Sequence, residues 1–205
     1  MNAITFEGQA WARWCLKRLG WTLLPGNLPG PKGIIVAYPH TSNWDFPVAM
    51  LTKWALGWPL RFWAKDSLFR LPLVSTWLRW IGAVPVSRGQ AHGQVAQALA
   101  SMQEADFFWL ALAPEGTRSL TPGWRMGFYH LWSQACCPLG VGVIDWKTKT
   151  IGIKAFAQCS GDMTRDFEQL RAMVGAPQGY APECASPIQP WSSSRALNPQ
   201  KAVSS

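Results

Sequence analysis

The stretch Ile34–Pro47, "IIVAYPHTSNWDFP", passes from an aliphatic block through a histidine and four further residues to an aspartate, and ends on a proline. A continuous apolar run bounded by turn signals reads as a strand buried on both faces. Pro47 has no N–H to donate, so it belongs in the first turn of a helix, which must begin within Thr41–Phe46. Strand, short loop and helix in succession form the repeating unit of a parallel sheet, with His40 at the corner.

Working outward, Leu60–Ala64, Ala83–Ser87, Phe107–Ala113 and Leu139–Trp146 read as further strands, and "KTKT" suits a turn into a strand over Ile151–Phe156. Helices are expected up to about Gly57, over "PLVSTWLRW" behind Pro72, and at Gln94–Ala105, Trp124–Cys136 and Met163–Val174. The expected fold class is α/β, a largely parallel sheet flanked by helices through right-handed crossovers, with an N-terminal amphipathic helix. The uncharged run Met126–Ile144 has the length of a membrane span, but His130, Ser133, Gln134 and Pro138 interrupt it, and it reads as helix followed by strand.

A chain of 205 residues is long enough for one sizeable core. Its net charge of +8 favours anionic partners, and fourteen tryptophans tilt that preference toward lipid. Trp63, Trp80 and Trp109 lie in apolar runs and are expected in the core. No DNA-binding pattern or single-strand platform is present, so nucleic acid is not expected as a partner. Five cysteines without CxxC spacing suggest neither a disulfide framework nor a metal site, and with no secretory signal they suit a reducing cytoplasm.

Residues 1–28 read as an amphipathic membrane-interface segment. Over Phe6–Leu24, Trp11, Trp14, Cys15, Leu19 and Trp21 project to one broad face opposite Arg13 and Lys17, although Arg18 interrupts the arc. Trp11, Trp14, Lys17 and Trp21 are the expected contacts with an anionic surface, the alternative being a helix packed on the domain. Residues 29–175 carry the globular domain. From 176 to 205, prolines and serines replace any apolar period, and this tail is expected to be disordered.

Ligands of open α/β sheets gather beyond the carboxyl ends of the strands. His40, Arg88 and the "EGTR" loop Glu115–Arg118 each follow a strand and would share one edge if those strands are neighbours. Across the corner, the Asp45 carboxylate can fold back to one imidazole nitrogen, fixing the tautomer and leaving the other nitrogen to take a proton. Alternatively Asp45 caps its helix and His40 is an ordinary loop residue. Gly116 lets a ligand approach the backbone, and the Arg118 guanidinium can hold a phosphate by two bonds. Thr41 and Ser42 suit capping better than nucleophilic attack, because no Gly-x-Ser-x-Gly elbow surrounds them. Cys136 and Cys137 read as core, and His92 and His130 as structural.

Four blocks in order across Gly33–Val143 carry a resemblance: "HTSNWD" with its H-x4-D spacing, "GAVPVSR", "PEGTRS" and "CPLGVGV". The segments "AKDSLFRLPL" and "GWRMGFY" join them. The set resembles the glycerophospholipid acyltransferases, especially the 1-acylglycerol-3-phosphate (lysophosphatidic acid) branch. Departures are Pro39 where many members have Asn, Ala113 where they have an aromatic, and Arg125 in place of a frequent lysine.

The resemblance implies a glycerol-phosphate acyltransferase-like domain over 29–175. His40 is then the general base and Asp45 its partner. Arg88, Glu115, Gly116, Thr117 and Arg118 hold the acceptor's phosphate, with Arg125 as a further contact. It also implies a peripheral enzyme on the cytoplasmic face of the membrane, with a lysophospholipid acceptor, acyl-CoA or acyl-carrier protein as donor, and neither metal nor other cofactor. Removing a hydroxyl proton during attack on a thioester suits a neutral imidazole, and a thiolate leaves with little help. An esterase or thioesterase using the same pair, and a non-catalytic lipid-binding module, are the alternatives.

Overall fold

The computed structural model describes residues 4–86 and 91–191, the side chains of Ala91 and His92 excepted. In chain order, α1 (Ala10–Arg18) leads to β1 (Thr22–Leu23), β2 (Lys32–Tyr38), α2 (Asp45–Leu56) and β3 (Arg61–Lys65). A 3-10 turn, Asp66–Arg70, precedes α3 (Pro72–Trp80), β4 (Ala83–Val86), α4 (Ala91–Glu104) and β5 (Phe108–Leu112). Next come β6 (Trp124–Arg125), α5 (Gly127–Ala135), β7 (Leu139–Asp145), β8 (Thr150–Ala157), α6 (Met163–Val174) and β9 (Pro190–Trp191).

Seven strands form one sheet in the order β1-β8-β7-β2-β5-β3-β4, parallel at every pairing except the β7–β8 hairpin. Strand alternation divides the core between its faces. Ile34, Val36 and Tyr38 of β2, with Phe108, Leu110 and Leu112 of β5, meet Val95, Leu131 and Leu170 from α4, α5 and α6. Ile35 and Trp109 point the other way, where α1, α2 and α3 lie. α2 is the middle helix of that layer: Val48 and Ala55 pack with Ala12 and Leu16 of α1, whereas Met50 packs with Leu78 beside Ile81. The expected α/β architecture is therefore the one observed, and Met126–Ile144 is a helix and a strand. Among the described residues no helix is long and apolar enough to cross a membrane.

Several local expectations change. α1 is shorter than Phe6–Leu24 because the chain turns after Arg18 to place β1 beside β8. That turn carries Trp21 inward against Trp146, ring centroids 5.0 Å apart, so Trp21 is core rather than a membrane contact. Trp11, Trp14 and Lys17 remain exposed, while Ala12 and Leu16 seat α1 on α2. Trp80 is 78% exposed instead of buried. Cys136 is exposed in the left-handed residue that ends α5, and only Cys137 turns inward. The helix expected from Trp124 starts at Gly127, because Trp124 and Arg125 pair with β9 instead.

The tail departs furthest from its composition. Residues 176–191 are ordered, and Ser186 is fully buried. The segment has few apolar side chains, but its backbone finds polar partners: Gln178 O accepts from Trp146 N, Ala181 N donates to Thr41 Oγ1, and Ser186 O accepts from Tyr38 Oη. Hydrogen bonds to neighbouring loops supply what an apolar period would have supplied. Residues 192–205 lie outside the described residues.

Candidate active site

The strand order places the end of β2 beside the end of β5. β2 closes at Tyr38, the Tyr38–Pro39 peptide is cis, and His40 stands before α2 as a partly exposed side chain. Its Nδ1 lies 3.1 Å from Asp45 Oδ2. The same oxygen accepts the amides of Thr41 and Ser42, each at 2.9 Å, and Oδ1 accepts the Trp146 indole N–H at 2.7 Å. Thus Asp45 organises the loop ahead of its helix and also binds the imidazole, which unites the two sequence readings.

The Asp45 side chain is 1% exposed. Burial alone pushes its carboxyl upward, but His40, the Ser42 amide and Trp146 together hold it below the ordinary aspartate value. An ionised Asp45 assigns the imidazole proton to Nδ1, leaving Nε2 with a free lone pair. Proton acceptance at Nε2 then gives an imidazolium facing a buried carboxylate, the arrangement a general base needs.

Glu115 departs from its expected role. It follows β5 in a buried position, with Oε2 accepting the His40 backbone N–H at 2.6 Å and Oε1 accepting Ser186 N–H at 2.8 Å. A carboxylate turned inward cannot hold a phosphate. Instead it ties the β2 loop, the β5 loop and the tail to one another. Burial pushes the Glu115 carboxyl up, and its two amide partners and His40 offset part of that effect.

Gly116 sits at φ +66°, and a Cβ there would lie 2.6 Å from Arg125 Cδ. Only glycine both adopts this conformation and lets the Arg125 side chain cross it. Arg125 N donates to Pro114 O at 2.8 Å, and its guanidinium lies 4.7 Å from the Trp191 ring centroid. Arg125 is therefore brought to the Glu115–Arg118 loop. Thr117 Oγ1 accepts Ser119 N–H at 3.4 Å, whereas the exposed Arg118 makes no hydrogen bond or ion pair with a described residue. Arg88 lies outside the described residues. The strand that leads to it, β4, is separated from β5 by β3, so of the three strands only β2 and β5 meet the condition of being neighbours.

Thr41 and Ser42 have structural partners. Ser42 Oγ accepts Trp44 N–H at 3.1 Å, and Thr41 Oγ1 receives Ala181 N–H at 3.2 Å. Gly179 packs so close to Thr41 that a Cβ would lie 2.4 Å from its hydroxyl oxygen. His130 is exposed, outside this network. Among the described residues no group of three or more His, Cys, Asp or Glu side chains could hold a metal ion.

Three participants escaped the sequence reading: Trp146, Ser186 and the bracing role of Glu115. Trp146 carried a signal, since a tryptophan ending a strand at the ligand-bearing edge can offer an indole donor. Nothing local marked Ser186.

No curated protein sequence matches the chain. Its fold is similar to a crystal structure of the 1-acyl-sn-glycerophosphate (LPA) acyltransferase PlsC from Thermotoga maritima, with a TM-score of 0.51, 19% identity, and coverage of 79% of this chain and 71% of that one. A family model described as Acyltransferase matches residues 25–144, more than half of the chain and the whole of the His40, Asp45 and Glu115–Arg118 region. The chain belongs to the acyltransferase family.

Proposed function

We propose that this acyltransferase moves a fatty acyl chain from acyl-CoA or acyl-carrier protein to the free hydroxyl of a lysophospholipid, foremost 1-acylglycerol-3-phosphate, in phospholipid biosynthesis. The carrying observation is the 3.1 Å contact between His40 Nδ1 and buried Asp45, on an imidazole that remains open to solvent. His40 Nε2 takes the acceptor's hydroxyl proton as the oxygen attacks the thioester carbonyl. Collapse of the tetrahedral intermediate expels the thiolate, and the imidazolium returns the proton to sulfur. The pair needs no enzyme nucleophile.

Arg118, exposed and without a hydrogen bond or ion pair to a described residue, and Arg125, laid across Gly116, supply positive charge for the acceptor's phosphate, with Thr117 in the same loop. Arg88 is assigned to this phosphate on sequence grounds alone. Exposed Trp11, Trp14 and Lys17 on α1 support a peripheral position on an anionic leaflet; the cytoplasmic face rests on the sequence resemblance alone.

Incubation with radiolabelled acyl-CoA, with and without lysophosphatidic acid, tests the reading. Phosphatidic acid formed only with acceptor supports it. Free fatty acid released at the same rate either way means that the pair activates water, and headgroup-resolved analysis of products across several lysolipids identifies a different acceptor.

A further inference from the structure

The largest apolar exposure in the described structure lies on the segment between β3 and β4. Within it, Leu68, Leu71, Leu73, Val74, Trp77 and Trp80 are all exposed, Leu73 by 87%. On α3, Leu73, Trp77 and Trp80 follow the i, i+4, i+7 spacing and form one helical stripe. In a water-soluble helix such a stripe faces the core. Here Leu78, with Ile81 just beyond the helix, already seats α3 against Met50 and Ala83. The exposed stripe is thus a second apolar surface with no partner in the described chain, larger than the scattered apolar residues of ordinary surfaces.

Its position and charge indicate what covers it. The 3-10 turn leaves the carboxyl end of β3, which pairs in parallel with β5, so Leu68 and Leu71 begin at the sheet edge that carries His40 and Glu115. Exposed Lys65, Arg70 and Arg79 border the apolar residues, against Asp66 alone of opposite sign. The guanidinium of Arg79 lies 5.5 Å from the Phe69 ring centroid. α3 also shares its layer with α1, across α2, so Trp11 and Trp14 flank the same side of the sheet. Apolar side chains with interfacial tryptophans and a cationic border match the headgroup-to-acyl boundary of an anionic bilayer.

We propose that the 3-10 turn and α3 form a membrane-docking element that inserts Leu73, Trp77 and Trp80 into an anionic leaflet beside the catalytic edge. The choice of a lipid surface over a protein partner rests on the lysolipid reading above, while the binding itself needs no turnover. Docked in this way, the enzyme would receive a lipid acceptor at the His40 edge without drawing the whole molecule through water.

The test uses the full chain and a Leu73→Ser/Trp80→Ser variant, with Trp11→Ser/Trp14→Ser for comparison. Co-sedimentation is measured with vesicles of phosphatidylcholine containing phosphatidylglycerol, alongside thermal unfolding and sedimentation velocity without lipid. The expected result is a loss of vesicle affinity of at least about tenfold for the α3 variant, from the apolar area no longer inserted. Its Tm and any transfer to a soluble short-chain acceptor should match the parent. Unchanged vesicle binding by the α3 variant overturns the proposal, as does a parent that binds no vesicles. A parent that self-associates in a way the variant abolishes also overturns it, because the face then belongs to a second copy. Loss of vesicle binding in a protein without acyl transfer would sink the functional reading and leave the docking element standing.

Discussion

The indole N–H of Trp146 donates to Asp45 Oδ1 at 2.7 Å, joining residues 101 positions apart in the chain. This bond occupies the oxygen that His40 does not use, so the carboxylate is held from both sides. Trp146 also packs edge-on to Trp21 and Tyr180. Trp146→Phe keeps an aromatic ring but removes the donor, together with part of the ring area that faces Trp21 and Tyr180; thermal unfolding reads the packing loss and kcat the lost bond. We predict a fall in kcat of about tenfold, the kinetic equivalent of one charge-assisted hydrogen bond, with KM nearly unchanged. Steady-state kinetics check it; a parental kcat would mean that the bond does not orient the base.

His40→Ala should lower kcat by about 10³-fold while leaving unfolding nearly unchanged, since the lost side chain is partly exposed. Asp45→Asn should damage both activity and stability. Four donors surround this carboxylate, so an amide must turn an N–H toward another N–H, at a cost of about 2 kcal/mol. Turnover assays paired with thermal unfolding separate the two; activity within a few-fold of the parent in both variants would refute the pair.

Glu115→Gln meets a similar problem, because its two oxygens accept two backbone N–H groups. One must be given up, and stability should fall by about 1–3 kcal/mol. If the His40 amide is released, kcat falls with it. Hydrogen exchange at His40 and Ser186 identifies which bond is lost, and full protection of both would refute the bracing role.

The two buried carboxylates should shape pH dependence in opposite directions. Asp45 is depressed in the folded state, so its contribution is complete above the ordinary aspartate value and is lost as the pH falls through the lower folded value. Glu115 is raised, so its contribution is complete below the ordinary glutamate value and is lost as the pH rises through the higher folded value. Tm measured across the acidic range should therefore fall less steeply with acid in Asp45→Asn than in the parent. The Tm deficit of Glu115→Gln should narrow as the pH rises past the glutamate value. A parallel shift of either curve would argue against the corresponding linkage.

Arg118→Ala should raise KM for a phosphate-bearing acceptor by about tenfold or more, and Arg118→Lys should restore little of it, because an ammonium cannot form the two-bond fork. KM for acyl-CoA should stay near the parental value. Equal losses for both substrates would assign Arg118 to the donor or to the loop.

Much of this protein was legible along the chain. The aliphatic run ending at Tyr38, the proline at position 47 and the successive strand and helix periods determined the α/β layers and put His40 at a loop corner, because burial periodicity and missing N–H groups are local properties. The order of strands is not local. Only the tertiary structure decided that β2 lies beside β5 while β4 does not, that Glu115 grips the His40 backbone, and that Trp146 reaches Asp45. It also decided that Trp21 turns inward, that Trp80 faces out, and that a proline-rich tail is held in place by Ser186 and Ala181. A residue's composition says what it can bond or bury, but its partner depends on how distant segments pack, and here those partners stand 71 to 148 positions away.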